Sequence, residues 1–198
     1  MKIIILIFLI ILFPFKNFGQ LKYDYKQGYK FINLAQQKLN EGKLNKSEEF
    51  IGKAKLSNFG FCGNAWASAY GRINLIQAQI YIKHKDFDKA LNLLDSIGGC
   101  GFGANCEARD SLKVSTLILK FGKEKVKESF NNVVKLEKNE NNYDAIYSVY
   151  LKELNFTFNF NSSEYYNIDA DEKKTEQVRT ANEFLNKIRN LNYYKLLE

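Results

Sequence analysis

Across 198 residues proline occurs once, at Pro14. Beyond that position nothing locks φ or removes a backbone donor, so the chain is free to run as long helices. No Ser/Pro-rich linker or low-complexity block divides it, and apolar residues recur at helical spacing over most of its length. These features predict an all-α fold made of antiparallel helical hairpins.

The hairpins can be followed residue by residue. Phe31, Leu34, Ala35 and Leu39 share one face of a helix that ends at Gly42, and Asn45 with Glu48 offers a capping box for the next helix. That return helix turns Ser47, Phe50, Ile51 and Ala54 inward. A second copy starts near Ala65 and buries Ile73, Ile76, Ala78, Ile80 and Tyr81. It turns at His84-Lys85-Asp86-Phe87-Asp88 and returns through Phe87, Ala90, Leu91, Leu94 and Ile97. A third copy runs through Leu112, Val114, Leu117, Ile118 and Phe121, turns at Gly122, and returns through Val126, Phe130, Val133 and Leu136.

This self-similarity resembles the tetratricopeptide repeat, whose unit of about 34 residues is a helical hairpin that stacks into a solenoid. The family places small residues where the two helices approach, an aromatic between them, and large apolar residues further along. The second copy is similar to it at Ala78, Tyr81, Phe87, Ala90 and Leu94. The first fits at Ala35, Leu44, Ser47, Ile51 and Ala54, with Lys38 in the aromatic's place. The third keeps only Val114, Leu117, Val126, Phe130 and Val133. Ala35 and Ala78 lie 43 residues apart and Ala78 and Val114 lie 36 apart, so the units carry inserts. The resemblance implies a short α-solenoid with repeats over about 27–58, 64–98 and 107–137 and C-terminal helices over 142–198. It also implies a concave groove lined by the first helix of each hairpin, with Tyr29, Gln36, Arg72, Gln79 and Lys83 as candidate partner-facing residues. The Lys and Asn set of the family's carboxylate-clamp version is not reproduced, so a C-terminal carboxylate ligand is not implied.

Beyond the third copy, Tyr143, Ile146, Tyr147, Tyr150, Leu151 and Leu154 fit a further helix with a wide aromatic face. Phe156, Phe158 and Phe160 alternate with Thr157 and Asn159 like a strand. With no partner strand evident, an ordered loop packed on the helices is expected there. A last helix from about Asp171, with Val178, Ala181, Phe184, Leu185, Ile188 and Leu191 inward and Asp169 and Glu172 at its cap, would close the stack.

The other end reads as a targeting segment. Met1-Lys2 precedes an apolar run from Ile3 to Phe15, about 20 Å long as a helix against a bilayer core of about 30 Å. That length predicts a signal peptide over 1–19 and a single domain over 20–198, exported to the periplasm or secreted, with no membrane insertion after cleavage. Without Lys2 and Lys16 the 29 basic residues fall to 27 against 22 acidic ones. No run of Lys/Arg interleaved with aromatics is present, so no nucleic-acid partner is expected.

In an oxidising compartment the three cysteines, Cys62, Cys100 and Cys106, sit in Gly-rich joints between copies. One disulfide is expected, either Cys62 with one of the later pair or Cys100 with Cys106, and an odd thiol is left over. A zinc site of the cysteines with His84 fails because His84 belongs to the turn at the far end of the helices. His84 is the only histidine, and no G-x-S-x-G, H-E-x-x-H or P-loop occurs. No cofactor, metal or catalytic role is expected. The function expected is therefore non-enzymatic binding of a protein or peptide, as an envelope scaffold or adaptor. The alternative is a small periplasmic toxin-neutralising (immunity) protein, with the aromatic segment Tyr143–Phe160 as its contact surface.

Overall fold

A computed structural model describes residues 21–97, 106–133, 136–139, 146–161 and 194–198. The expected signal peptide, Cys100, and the expected closing helix from Asp171 to Leu191 lie outside the described residues. The chain divides into two compact units, Met1–Phe61 and Cys62–Glu198. The division falls between the expected first and second copies.

The first unit is one hairpin, α1 (Tyr25–Asn40) and α2 (Leu44–Lys55). Helix α1 starts where Asp24 accepts from the Gln27 backbone N–H at 2.8 Å and Gln27 returns the bond to the Asp24 N–H at 3.1 Å. That capping box was not read from the sequence, although Asp-x-x-Gln ahead of an apolar stripe is its signature. The expected box at Asn45 and Glu48 does not form: α2 already begins at Leu44, one residue before Asn45, with no side-chain cap. Ile32, Ala35, Leu39, Ser47, Ile51 and Ala54 are buried between the helices. Ser47 Oγ donates to the Ala35 carbonyl at 2.8 Å, a contact open only to small residues on both sides. At the other end the chain turns back so that Ser57 and Phe59 are buried against Gly28, where a Cβ would meet Phe59 Cε1 and Ser57 Cβ at 2.7 Å.

The second unit opens with another hairpin, α3 (Gly63–Lys83) and α4 (Phe87–Asp95). Its turn repeats that of the first. Lys43 N–H bonds to the Lys38 carbonyl around a left-handed Gly42, and Asp86 N–H bonds to the Tyr81 carbonyl around a left-handed Lys85. Both are six-residue closures of a helix end around one positive-φ residue. Ala78 and Ala90 are fully buried, as Ala35 and Ala54 are in the first hairpin. Helices α5 (Cys106–Phe121) and α6 (Lys123–Asn131) follow, joined through Gly122 alone, whose φ of +89° only glycine adopts freely.

The described residues are mostly helical and also include one small sheet. Strands β1 (Leu136–Asn139), β2 (Ile146–Leu151) and β3 (Phe156–Asn161) form an antiparallel sheet in the order β1-β2-β3. Leu136 thus opens a strand rather than ending a helix, since α6 stops at Asn131. The helix expected through Tyr150 and Leu154 is β2 followed by a 3₁₀ turn, Lys152–Leu154. The loop expected over Phe156–Phe160 is β3, paired with β2 from Leu151↔Phe156 to Ile146↔Asn161. The turn closes at Asn155, which takes the left-handed conformation that asparagine tolerates. Val149, Leu151, Leu154 and Phe158 point inward onto Val114, Leu117, Val126, Phe130 and Leu197, forming the larger core of this unit. Phe158 meets Phe130 edge-on at 5.3 Å.

Candidate functional site

The five expected groove residues fall in both units. Tyr29 and Gln36 lie on α1, and Arg72, Gln79 and Lys83 lie on α3. Gln36 donates to the Asn40 side chain at 3.0 Å, and Gln79 bonds back to the Leu75 carbonyl at 3.3 Å, so both amides are engaged along their own helices. Arg72 and Lys83 are exposed.

Around Tyr29 the first unit carries an open groove of about 500 Å³, lined by Tyr25, Lys26, Tyr29, Lys30, Asn33, Leu34 and Gln37. These residues form two neighbouring i, i+4 rows on α1: Tyr25, Tyr29, Asn33 and Gln37 beside Lys26, Lys30 and Leu34. Tyr25 is 52% exposed, while Tyr29 is half-buried, its ring edge-on to Phe59 at 5.4 Å. Phe59 in turn is buried, so Tyr29 is braced from behind while Tyr25 projects. Gln36 does not line this groove. Of the expected residues only Tyr29 does, and the lysine row at its side was not anticipated.

A second polar cluster lies inside the second unit, where sequence reasoning placed nothing. Arg109, Asp110 and Lys113 on α5 are 3%, 1% and 1% exposed. Arg109 grips Asp110 through Nε at 2.8 Å and Nη2 at 3.2 Å, and its Nη1 donates to the Ile97 carbonyl at 3.0 Å. Lys113 Nζ pairs with Asp95 at 2.5 Å, lies 3.9 Å from Asp110, and donates to the Asn159 carbonyl at 2.6 Å. Burial pushes the Asp110 carboxyl above its ordinary range and the Lys113 ammonium below its own, because each loses water that its partners only partly replace. Arg109, Asp110 and Lys113 are thus tied to one another, to Asp95 and to two backbone carbonyls. This is an internal clasp between α4, α5 and β3 rather than a place for a ligand. The sequence did hold a signal: Arg109 and Lys113 stand eight and four residues before the buried Leu117, in register with the apolar stripe.

Cys62 is an exposed free thiol at the N-cap of α3, and His84 is the exposed C-cap of the same 21-residue helix. A helix that long separates them by about 30 Å. Cys106 begins α5, six residues after Cys100. Among the described residues no three His, Cys, Asp or Glu side chains gather where they could hold a metal ion, and no helix is long and apolar enough to cross a membrane. The expected aromatic contact surface is divided: Phe158 is buried, Phe156 half-buried, and Tyr150 is 54% exposed with its hydroxyl on Asn155.

In comparisons with protein-family models, with curated proteins and with solved structures, nothing matches this chain.

Proposed function

We propose that this chain is an exported, non-enzymatic binding module of tetratricopeptide-like hairpins that holds a protein or peptide partner as an envelope scaffold or adaptor. The observation that carries the reading is the open groove on α1, with a braced and a projecting tyrosine beside two lysines. A groove of mixed aromatic, amide and ammonium character suits a polypeptide. Tyrosine gives contact area at low entropic cost, and the amides and ammoniums fix register. The repeated turn at Gly42 and Lys85 and the small residues Ala35, Ser47, Ala78 and Ala90 support a shared hairpin unit behind it.

In the same reading the signal peptide covers 1–19, and Cys100 and Cys106 form the expected disulfide, leaving Cys62 free. Toxin neutralisation is the second reading. Tyr150, the one large exposed aromatic on β2 among the described residues, is the observation that favours it. Capture of a tagged chain from its native host separates the two. Several partners released at moderate salt identify an adaptor, and one stoichiometric partner that survives high salt identifies a neutraliser. Recovery of no partner would contradict both.

A further inference from the structure

We infer that the α1 face of the first unit docks an amphipathic helix bearing acidic residues. The inference rests on the protein-binding reading and gives it a surface and a partner chemistry. The surface shares Tyr29 with the groove implied by the repeat resemblance, excludes Gln36, and lies wholly within the first unit.

Three features argue for this occupant. The first is shape. The rows Tyr25-Tyr29-Asn33-Gln37 and Lys26-Lys30-Leu34 are adjacent i, i+4 ridges, and the furrow between two such ridges accepts an i, i+4 ridge of a second helix. From Tyr25 to Gln37 the furrow runs about 18 Å, room for roughly three turns of partner helix. The second is charge. The lining holds two ammoniums and no carboxylate, and among the described residues neither Lys26 nor Lys30 forms an ion pair. Lys38, Lys43, Lys46 and Lys53 of the same unit each reach a glutamate. Lys22 and Lys55 do not, but neither lines the furrow, so Lys26 and Lys30 are the unneutralised ammoniums beside the two tyrosines. The third is the apolar complement. Tyr25, Tyr29 and Leu34 offer rings and a branched side chain along the furrow, so the partner needs an apolar stripe flanked by carboxylates four residues apart.

The test uses the full chain and a designed probe, a fluorescein-labelled 18-residue helix with a Leu/Phe stripe and glutamates at two i, i+4 positions, together with its twin carrying lysines in their place. Anisotropy titration is expected to show saturable binding of the acidic peptide that weakens as salt rises. The lysine twin should bind at least tenfold more weakly. The variant K26E/K30E should lose at least tenfold in affinity for the acidic peptide, whereas K55E, at an exposed position of α2 that does not line the furrow, should bind like the parent chain. Equal binding of the two peptides, no saturable binding of the acidic one, or an unaltered K26E/K30E would overturn the inference. Capture from the native host keeps the two claims apart. A native partner held equally by the parent chain and K26E/K30E would sink the docking surface while leaving the binding function in place.

Discussion

Lys113 Nζ on α5 donates to the carbonyl of Asn159 on β3 at 2.6 Å, across 46 residues of sequence. The same ammonium pairs with Asp95 at the end of α4, so one buried charge links two helices and the sheet. Its stem also passes the Phe158 ring, with Nζ 5.4 Å from the centroid. Lys113→Met keeps most of the volume and removes the charge, stranding two carboxylates with a single guanidinium. The expected loss is about 3–5 kcal/mol, the usual cost of removing one partner from a buried ion network. Urea unfolding followed by the fluorescence of Trp66, the sole tryptophan, measures it. A loss under about 1 kcal/mol would mean that the clasp contributes little.

Lys85 holds φ at +62° in the position that Gly42 occupies in the first hairpin. A side chain there costs about 1 kcal/mol or more relative to glycine. Lys85→Gly is expected to raise the stability of the second unit by about 1 kcal/mol in the same urea experiment, set against a small entropic penalty in the unfolded chain. A destabilised variant would show that the lysine makes a compensating contact.

How far the fold could be read from the sequence follows from which periods compete. Helices α1 to α6 were legible because their stripes are unambiguous, and Gly42 and Gly122 mark two of the turns. Residues 146–151 misled because Ile146, Tyr147, Tyr150 and Leu151 satisfy a helical count. Yet Val149 and Leu151 are buried while Tyr150 between them is exposed, which is a period of two. β-branched and aromatic residues in that run favoured a strand, and its partner was the neighbouring Phe156–Asn161. At the candidate site only Tyr29 was legible. Lys26 and Lys30 are ordinary surface lysines by sequence, and only their place beside Tyr25 and Tyr29 in the groove marks them out.

Glu41 is the acidic group most constrained by its neighbours at the first turn. Lys38 and Lys43 donate to it at 2.8 and 2.9 Å and hold its carboxyl at about 2 instead of 4.5. A depressed carboxylate stabilises the folded state above the unfolded value, and that contribution disappears as pH falls from about 4.5 through about 2. A carboxyl-carbon NMR titration should therefore give a Glu41 midpoint near 2 in the parent chain, moving toward 4.5 in K38M/K43M. A parent midpoint already near 4.5 would show that the two lysines spend their time in solvent.

The cysteines make a simple chemical prediction. Alkylation of the chain under denaturing, non-reducing conditions after export should modify one thiol, Cys62, and leave Cys100 and Cys106 joined. Peptide mass mapping reads this directly. Three modified thiols would contradict both the bridge and the oxidising compartment.

The central claim is that the chain works by holding a protein partner through α1 of its first unit. The most direct measurement is affinity capture from the native host with the parent chain and Y25A/Y29A side by side, compared by quantitative mass spectrometry. The account predicts a reproducible partner with the parent chain and its loss, by at least tenfold, from a Y25A/Y29A variant that keeps its helical circular dichroism. An identical set of proteins on both baits, or none on either, would contradict it.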